Sequence, residues 1–272
     1  MSKSLPPETR LGSVNLRVGD LPRALAFYRD VLGFSVLAED DVSAALGAEG
    51  GRPLLVLHSD PEATPPPEGA TGLFHVAFLL PTRGDLGAVI RRVREQGGAF
   101  DGFSDHNVSE AAYLVDPEGN GLELYADRSR DVWHTSDGRI FLATEPLDVE
   151  GLLLGAPEAA PALPRGTVVG HIHLRVSTLE GAEAFYVRRL GFDVVTRDYP
   201  GALFVSAGGY HHHIGLNVWG GVGATRPPQG SLGLTSFDLI VPSTEARMRV
   251  LGEIGEGYLF DLDDNAIRIV RG

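Results

Sequence analysis

The chain has 272 residues, of which 43% are hydrophobic and none is cysteine, and its formal net charge at pH 7 is −13. This length and apolar content predict two folded domains and exclude a wholly disordered chain. The acidic charge argues against nucleic acid as a partner, and the lack of cysteine excludes disulfide scaffolds, iron–sulfur clusters and thiol nucleophiles, so any bound metal would need His, Asp or Glu ligands.

The N-terminal segment, Met1–Ser13, carries no apolar run typical of a signal peptide. No segment of the chain approaches the roughly 20 apolar residues that a membrane span requires. We therefore expect a cytoplasmic protein without a membrane partner.

Residues 12–34 predict a short alternating strand followed by an amphipathic helix. Asp20 is placed to cap this helix at its start, and Gly33 is available to end it in the left-handed conformation. Short strands follow the helix. The segment up to about residue 60 is therefore predicted to form a βαβββ unit.

This first unit recurs along the chain. Gly170–Phe192 matches Gly12–Phe34 at an offset of 158 residues, with Leu-Arg-Val, Ala-Phe-Tyr and Leu-Gly-Phe in register. Two further pairs of segments match: Gly72–Pro81 with Gly233–Pro242, and Asp116–Tyr125 with Asp261–Val270. Proline-rich bridges divide each half, and the result is four similar units, near residues 10–60, 72–127, 168–219 and 232–271.

The Leu-Arg-Val strand, the Phe-Tyr helix, the Leu-Gly-Phe stop and the Asp-Pro-Glu-Gly-Asn turn resemble the vicinal oxygen chelate superfamily. That superfamily includes glyoxalase I, bleomycin-resistance proteins and extradiol dioxygenases. The resemblance implies an α+β fold in which four βαβββ units form two paired-unit, barrel-like sheets. It implies a first domain at residues 8–128, a linker at 129–166 and a second domain, with a shortened last unit, at 167–272. Gly209–Asn217 and Ser104–His106 most resemble the catechol 2,3-dioxygenase branch.

Extradiol enzymes of this superfamily hold iron(II) with two histidines and one carboxylate. The corresponding positions are Ser13, His75 and Glu123 in the first half, and His171, Ser236 and Arg268 in the second. Neither half is complete, but a pairing of the second unit with the third would join His75, Glu123 and His171 into one triad. If the first unit pairs with the second and the third with the fourth, the dioxygenase hypothesis fails. His173 shares the predicted strand face of His171 and could replace it.

By the same resemblance, His212 is the predicted acid–base residue. Strict strand alternation would instead turn His211 and His213 towards the cavity, so His213 is the alternative unless a bulge intervenes. His106 and Tyr113 are predicted to hydrogen-bond the substrate hydroxyl or its product. Phe74 and Trp219 are aromatic residues that could pack against a substrate ring, although a core role is more common for such side chains.

The predicted function is an Fe(II)-dependent extradiol dioxygenase, with Mn(II) as the alternative metal, that acts on a small aromatic diol and dioxygen. Two other functions stay open. A glyoxalase-like isomerase or lyase would resemble sites with more carboxylate ligands, and a bleomycin-resistance-like protein would bind a small molecule without metal. A homodimer is compatible with this sequence.

Overall fold

The computed structural model describes residues 4–135, 137–252 and 257–272. In chain order the strands are β1 (Arg10–Val18), β2 (Ser35–Glu39), β3 (Ser43–Gly47), β4 (Pro53–Ser59), β5 (Gly72–Leu79), β6 (Gly102–Asp105), β7 (Ser109–Val115), β8 (Gly121–Asp127), β9 (Glu145–Pro146), β10 (Val168–Arg175), β11 (Asp193–Thr196), β12 (Ala202–Ser206), β13 (Ile214–Asn217), β14 (Gly233–Val241), β15 (Tyr258–Phe260) and β16 (Ala266–Arg271). The α-helices are α1 (Leu21–Ala26), α2 (Arg83–Glu95), α3 (Val149–Leu154), α4 (Leu179–Glu183) and α5 (Thr244–Leu251). Within these ranges, no helix is both long and apolar enough to cross a membrane.

The strands form two mixed sheets, and each sheet joins units from both halves of the chain. The seven-stranded sheet has the order β15-β16-β14-β1-β4-β3-β2 and combines the first unit with the fourth. The nine-stranded sheet has the order β11-β12-β13-β10-β5-β8-β7-β6-β9 and combines the second unit with the third. The predicted fold class is confirmed, while the boundaries proposed for the domains and linker stay a prediction.

The helix predicted in the first unit begins and ends where the sequence indicates. The Asp20 carboxylate accepts a hydrogen bond from the Arg23 N–H at 3.0 Å, and Gly33 has a φ of +85°. The helix is α-helical only as far as Ala26 and continues as a π-helical turn over Phe27–Val31. This change of helical pitch was not predicted from the spacing of the apolar residues.

The Asp-Pro-Glu-Gly-Asn turn forms a buried contact with the first unit. The Tyr28 hydroxyl donates to Asp116 at 2.8 Å, and the Asn120 amide donates to the same carboxylate at 2.9 Å. The second half repeats this contact, since the Tyr186 hydroxyl donates to Asp261 at 2.8 Å. These buried bonds tie the helix of one unit to the last turn of the next, and so connect the two sheets.

The central strands of the nine-stranded sheet have one apolar face and one functional face. On β8, Leu122 and Leu124 are buried in the main hydrophobic core, which also contains the apolar side of α2. Glu123 lies between them and, by strand alternation, points to the opposite face. That opposite face carries the candidate site.

Candidate functional site

Three adjacent strands, β8, β5 and β10, bring the three predicted ligands together. Ala77 on β5 lies opposite Glu123 in the parallel pairing with β8 and opposite His171 in the antiparallel pairing with β10. His75 is two residues before Ala77 and therefore shares its face. The composite triad depends on this contact between the second and third units.

The ligand atoms of the triad converge on one point. The Glu123 Oε2 atom lies 3.0 Å from His75 Nε2 and 3.1 Å from His171 Nε2, and the two Nε2 atoms are 3.3 Å apart. All three side chains are buried. Within the described ranges this is the one group of three or more His, Cys, Asp or Glu side chains arranged so that it could hold a metal ion.

These separations suit a metal ion held at one face of its coordination sphere. Bonds of about 2.1 Å at right angles to one another place neighbouring ligand atoms about 3.0 Å apart. Hydrogen bonds within the cluster do not satisfy all of its polar atoms. If the Nε2 atom of a neutral His171 donates to Glu123, its Nδ1 atom cannot donate, and Nδ1 has no hydrogen-bond partner among the described residues. The donor set therefore fits the predicted cofactor.

The electrostatics of the cluster favour the forms of Glu123 and His75 that can bind a metal ion, an ionised carboxylate and a neutral imidazole. Burial opposes ionisation of Glu123, but the charges and hydrogen bonds of His171 and His75 outweigh it and hold the pKa of the carboxyl well below its ordinary value. Burial lowers the pKa of His75, with Glu123 acting in the opposite direction. A carboxylate beside a neutral imidazole is the state that binds a divalent cation.

The triad opens on a cavity of about 470 Å³, a size typical of small-molecule sites. His212, His106 and Tyr113 also line this cavity. His213 is not among its lining residues. The structure thus brings six of the seven predicted site residues to one cavity.

His212 is oriented by a chain of hydrogen bonds. The Asp127 carboxylate can only accept, so His211 donates to it through Nε2 at 2.9 Å. In neutral His211 the other nitrogen, Nδ1, is then an acceptor, and it lies 2.8 Å from His212 Nδ1, which must donate. The Nε2 atom of a neutral His212 consequently keeps its lone pair, and burial, together with His171 and His211, lowers the pKa of the ring well below its usual value.

The three histidines lie before β13, not within it, because that strand begins at Ile214. Strand alternation therefore does not determine their directions, and His212 reaches the cavity without a bulge in a strand. His213 Nδ1 instead accepts a hydrogen bond from the Ala207 N–H at 3.2 Å. Burial lowers the pKa of His213 to about 3.

His106 and Tyr113 form a directed pair. His106 Nδ1 lies 2.6 Å from the Ala143 carbonyl oxygen, which can only accept, so this nitrogen carries the proton. His106 Nε2 is then the acceptor of the Tyr113 hydroxyl at 2.6 Å. Burial and the nearby Glu123 carboxylate raise the pKa of Tyr113, which keeps the phenol protonated.

The segment predicted to be a linker also contributes to the cavity. Ala143 and Thr144 line it, and the Thr144 hydroxyl lies 2.7 Å from that of Tyr199. No motif in the sequence pointed to these residues. Their position depends on a path between two units that local patterns do not encode.

Aromatic side chains surround the mouth of the cavity. Phe74 packs edge-on against Trp219, with ring centroids 5.3 Å apart, and also contacts the ring of His173 at 5.1 Å. His173 lines the cavity but does not belong to the three-residue cluster. Its ring packs at 5.0 Å from that of His75, and burial lowers its pKa well below the ordinary value.

The equivalent positions in the seven-stranded sheet carry a different set of side chains. The Arg268 guanidinium makes two hydrogen bonds to Asp238, at 2.8 and 2.7 Å. The Ser13 hydroxyl donates to the same carboxylate at 3.0 Å, and Ser236 takes the position that His75 has in the other sheet. An internal ion pair therefore takes the place that the cluster of His75, Glu123 and His171 has in the other sheet.

Comparisons with known proteins agree with the fold and identify dioxygenases among the relatives of this chain. The sequence profile of the Glyoxalase/Bleomycin resistance protein/Dioxygenase superfamily matches residues 10–124. The chain is 45% identical to catechol-2,3-dioxygenase of Bacillus subtilis (strain 168), an alignment that covers 98% of this chain and 95% of the relative. It is 32% identical to biphenyl-2,3-diol 1,2-dioxygenase 3 of Rhodococcus globerulus over 43% of this chain and 63% of that one.

Among solved structures, glyoxalase I from Zea mays superimposes with a TM-score of 0.59 at 17% identity, covering 97% of this chain and 92% of that chain. At this level of identity the likeness concerns the fold alone.

Proposed function

Because this chain belongs to the glyoxalase/bleomycin resistance protein/dioxygenase superfamily and is an enzyme of the dioxygenase type, we propose that it is an iron(II)-dependent extradiol dioxygenase that cleaves the ring of a catechol-like diol. The observation that carries the proposal is the cluster of His75, Glu123 and His171, whose ligand atoms are 3.0 to 3.3 Å apart at the wall of the cavity.

His75, Glu123 and His171 would hold the iron. When bound by such a face of two histidines and one carboxylate, iron(II) supplies Lewis acidity and open positions for both diol oxygens and for dioxygen. Manganese(II) accepts the same donors and is the alternative metal.

His212 is the proposed acid–base residue. Its Nδ1–H donates to His211, which in turn donates to Asp127, so the lone pair on Nε2 is free to accept the proton that the diol loses on binding. The same imidazole can return that proton later in the reaction. The contact between the rings of His212 and His171, with centroids 4.1 Å apart, places this base next to the proposed metal ligands.

Tyr113 and His106 are proposed to orient the diol. The proton of the Tyr113 hydroxyl is directed to His106, which leaves the lone pairs of that oxygen to accept from a substrate hydroxyl. Phe74 and Trp219 provide apolar surface at the mouth and help to exclude water from the bound ring. The substrate is therefore held by hydrogen bonds at its hydroxyl end and by ring packing further out.

The two alternative functions have less support. A glyoxalase-like isomerase would call for further carboxylate ligands, and in the described part of the chain Glu123 is the one carboxylate of the cluster. A metal-free binding protein gives no reason for three buried ligand atoms to converge.

The proposal is tested by oxygen uptake after catechol is added to protein loaded anaerobically with iron(II), with absorbance recording a ring-cleaved product. The matched control is Glu123→Gln, which keeps the shape of the side chain but removes the anionic ligand. Uptake with a ring-cleaved product, lost in the variant, is the expected result. Iron binding without uptake for catechol or substituted catechols would favour an isomerase, and protein that binds no iron would favour the metal-free alternative.

A further inference from the structure

Arg175 is a cationic side chain at the mouth of the cavity that the proposed chemistry does not use. It lies on β10 four residues after His171, which along an extended strand is a distance of about 13 Å. Arg175 lines both the cavity and the groove outside it. Its guanidinium donates to the Leu73 carbonyl oxygen at 2.9 Å and lies 4.9 Å from the centre of the Phe74 ring.

The internal repeat supplies a reference for this residue. Arg17 is the equivalent arginine of the first unit and forms a salt bridge with Asp60 at 3.4 Å. Arg17 pairs with His58 in the strand register and Arg175 pairs with Asn217, so the residue two positions further on is Asp60 in the first unit and Trp219 in the third. An aromatic side chain thus occupies the place of the carboxylate that neutralises Arg17.

No other described carboxylate takes over this role. Four of the described carboxylates line the groove outside the cavity. Asp263 accepts from the Ser177 N–H at 2.9 Å, Asp264 pairs with Arg226, and Glu118 accepts from the Asp20 N–H at 3.1 Å. Glu68, the fourth of these described carboxylates, forms no ion pair with Arg175. Burial alone accounts for the shift of the Arg175 pKa, which is downward, without an opposing contribution from an acidic group. A half-buried guanidinium without an anionic partner favours the binding of an anionic ligand.

We propose that Arg175 is a specificity-determining residue that binds a carboxylate carried on a side chain of the diol. This inference rests on the proposed function and goes beyond it, since it assigns the substrate class as catechols with an acidic side chain. With the two hydroxyls at the triad and the ring packed against the side chains of Phe74 and Trp219, a chain of two or three atoms would bring its carboxylate towards Arg175. The planar guanidinium can then form two parallel hydrogen bonds to it.

The test compares 3-(3,4-dihydroxyphenyl)propanoate with its methyl ester, which has nearly the same shape but no charge. The Kd of each probe for the metal-loaded protein is measured by anaerobic calorimetry, and kcat/KM is measured by oxygen uptake. The variants are Arg175→Gln, Arg175→Lys and, as the matched control from the repeat, Arg17→Gln. Unsubstituted catechol is included as a substrate for the proposed function itself.

We expect the unmodified protein to prefer the acid over the ester by at least about tenfold in both Kd and kcat/KM, which is the lower range for a charge-assisted hydrogen bond. Arg175→Gln should abolish that preference, Arg175→Lys should keep part of it, and Arg17→Gln should keep all of it. Equal binding of acid and ester by the unmodified protein, or a preference that survives Arg175→Gln, would overturn the inference. Cleavage of catechol and of both probes without any acid preference refutes this inference alone, whereas a loaded protein that cleaves neither catechol nor either probe refutes the proposed function.

Discussion

The centres of the two sheets are formed by equivalent positions of the internal repeat but carry different charged side chains. In the nine-stranded sheet, Glu123 accepts hydrogen bonds from two histidines in a buried cluster. In the seven-stranded sheet, Arg268 occupies the position of that glutamate and is bound by Asp238. The guanidinium of Arg268 is itself a cation, and its anionic partner is Asp238 of the same chain. The comparison teaches that equivalent positions of the repeat can carry either a cluster that could hold a metal ion or an internal ion pair.

The largest expected effect comes from Glu123→Gln. The amide keeps the volume of the side chain but loses the charge that balances a divalent cation. Loss of a residue that only supports a ligand costs up to about 100-fold, so we expect loss of this proposed ligand to lower dioxygenase turnover by more than about 100-fold. Turnover is measured with an oxygen electrode at saturating iron(II).

Asp238→Asn is the matched carboxylate-to-amide change in the other sheet, and it should leave turnover within about twofold, as expected for a site outside the reaction. A comparable loss of turnover in both variants would contradict the separation of roles between the two sheets.

His212→Gln should lower kcat by about 100- to 10,000-fold, the usual contribution of a general acid–base group, while the bound metal is retained. His213→Gln should have a much smaller effect, because His213 does not line the cavity and its Nδ1 bonds to the backbone. Both are followed by steady-state kinetics with metal content measured on the same samples. A larger loss for His213→Gln than for His212→Gln would reverse the assignment.

Tyr113→Phe should lower kcat/KM by about tenfold, the value of one hydrogen bond to the substrate. The variant keeps the ring and removes only the hydroxyl that donates to His106. Tyr258→Phe, on an exposed tyrosine of the other sheet, serves as the control. Unchanged kinetics for Tyr113→Phe would show that this hydroxyl does not contact the diol.

The smallest effect on activity is expected for Arg268→Met. This change leaves Asp238, a buried carboxylate, with the Ser13 hydroxyl as its remaining side-chain partner. The free energy of unfolding should fall by about 1.5–3 kcal/mol, the usual value of a hydrogen bond to a charged group. Urea denaturation measures it, and turnover at 25 °C should not change. A fall in turnover at full folding would link this centre to the reaction.

The resemblance to the superfamily, read on the two halves of the repeat, predicts His75, Glu123 and His171 as ligands, and the structure brings these three side chains together. It cannot predict which units pair, since either arrangement satisfies the same local patterns. The choice between them depends on the contacts between units, such as the pairing of β5 with β10 in the nine-stranded sheet. These contacts are long-range and leave no periodic signal.

Other parts of the site depend on tertiary structure in the same way. His212 was predicted by resemblance, although strand alternation argued against it. Alternation does not apply to His212, because β13 begins only at Ile214. The hydrogen bonds from His211 to Asp127 and from His106 to Ala143 join segments that are far apart in the chain. Burial and backbone position determine such contacts, and the residue types alone do not specify them.

The measurement that tests the central claim most directly is the number of iron(II) ions bound per chain, determined by anaerobic loading, removal of free metal and elemental analysis. The composite site predicts one ion per chain, lost in Glu123→Gln and kept in Asp238→Asn. Two ions per chain, or one ion that survives Glu123→Gln and disappears in Asp238→Asn, would contradict a single centre built from the second and third units.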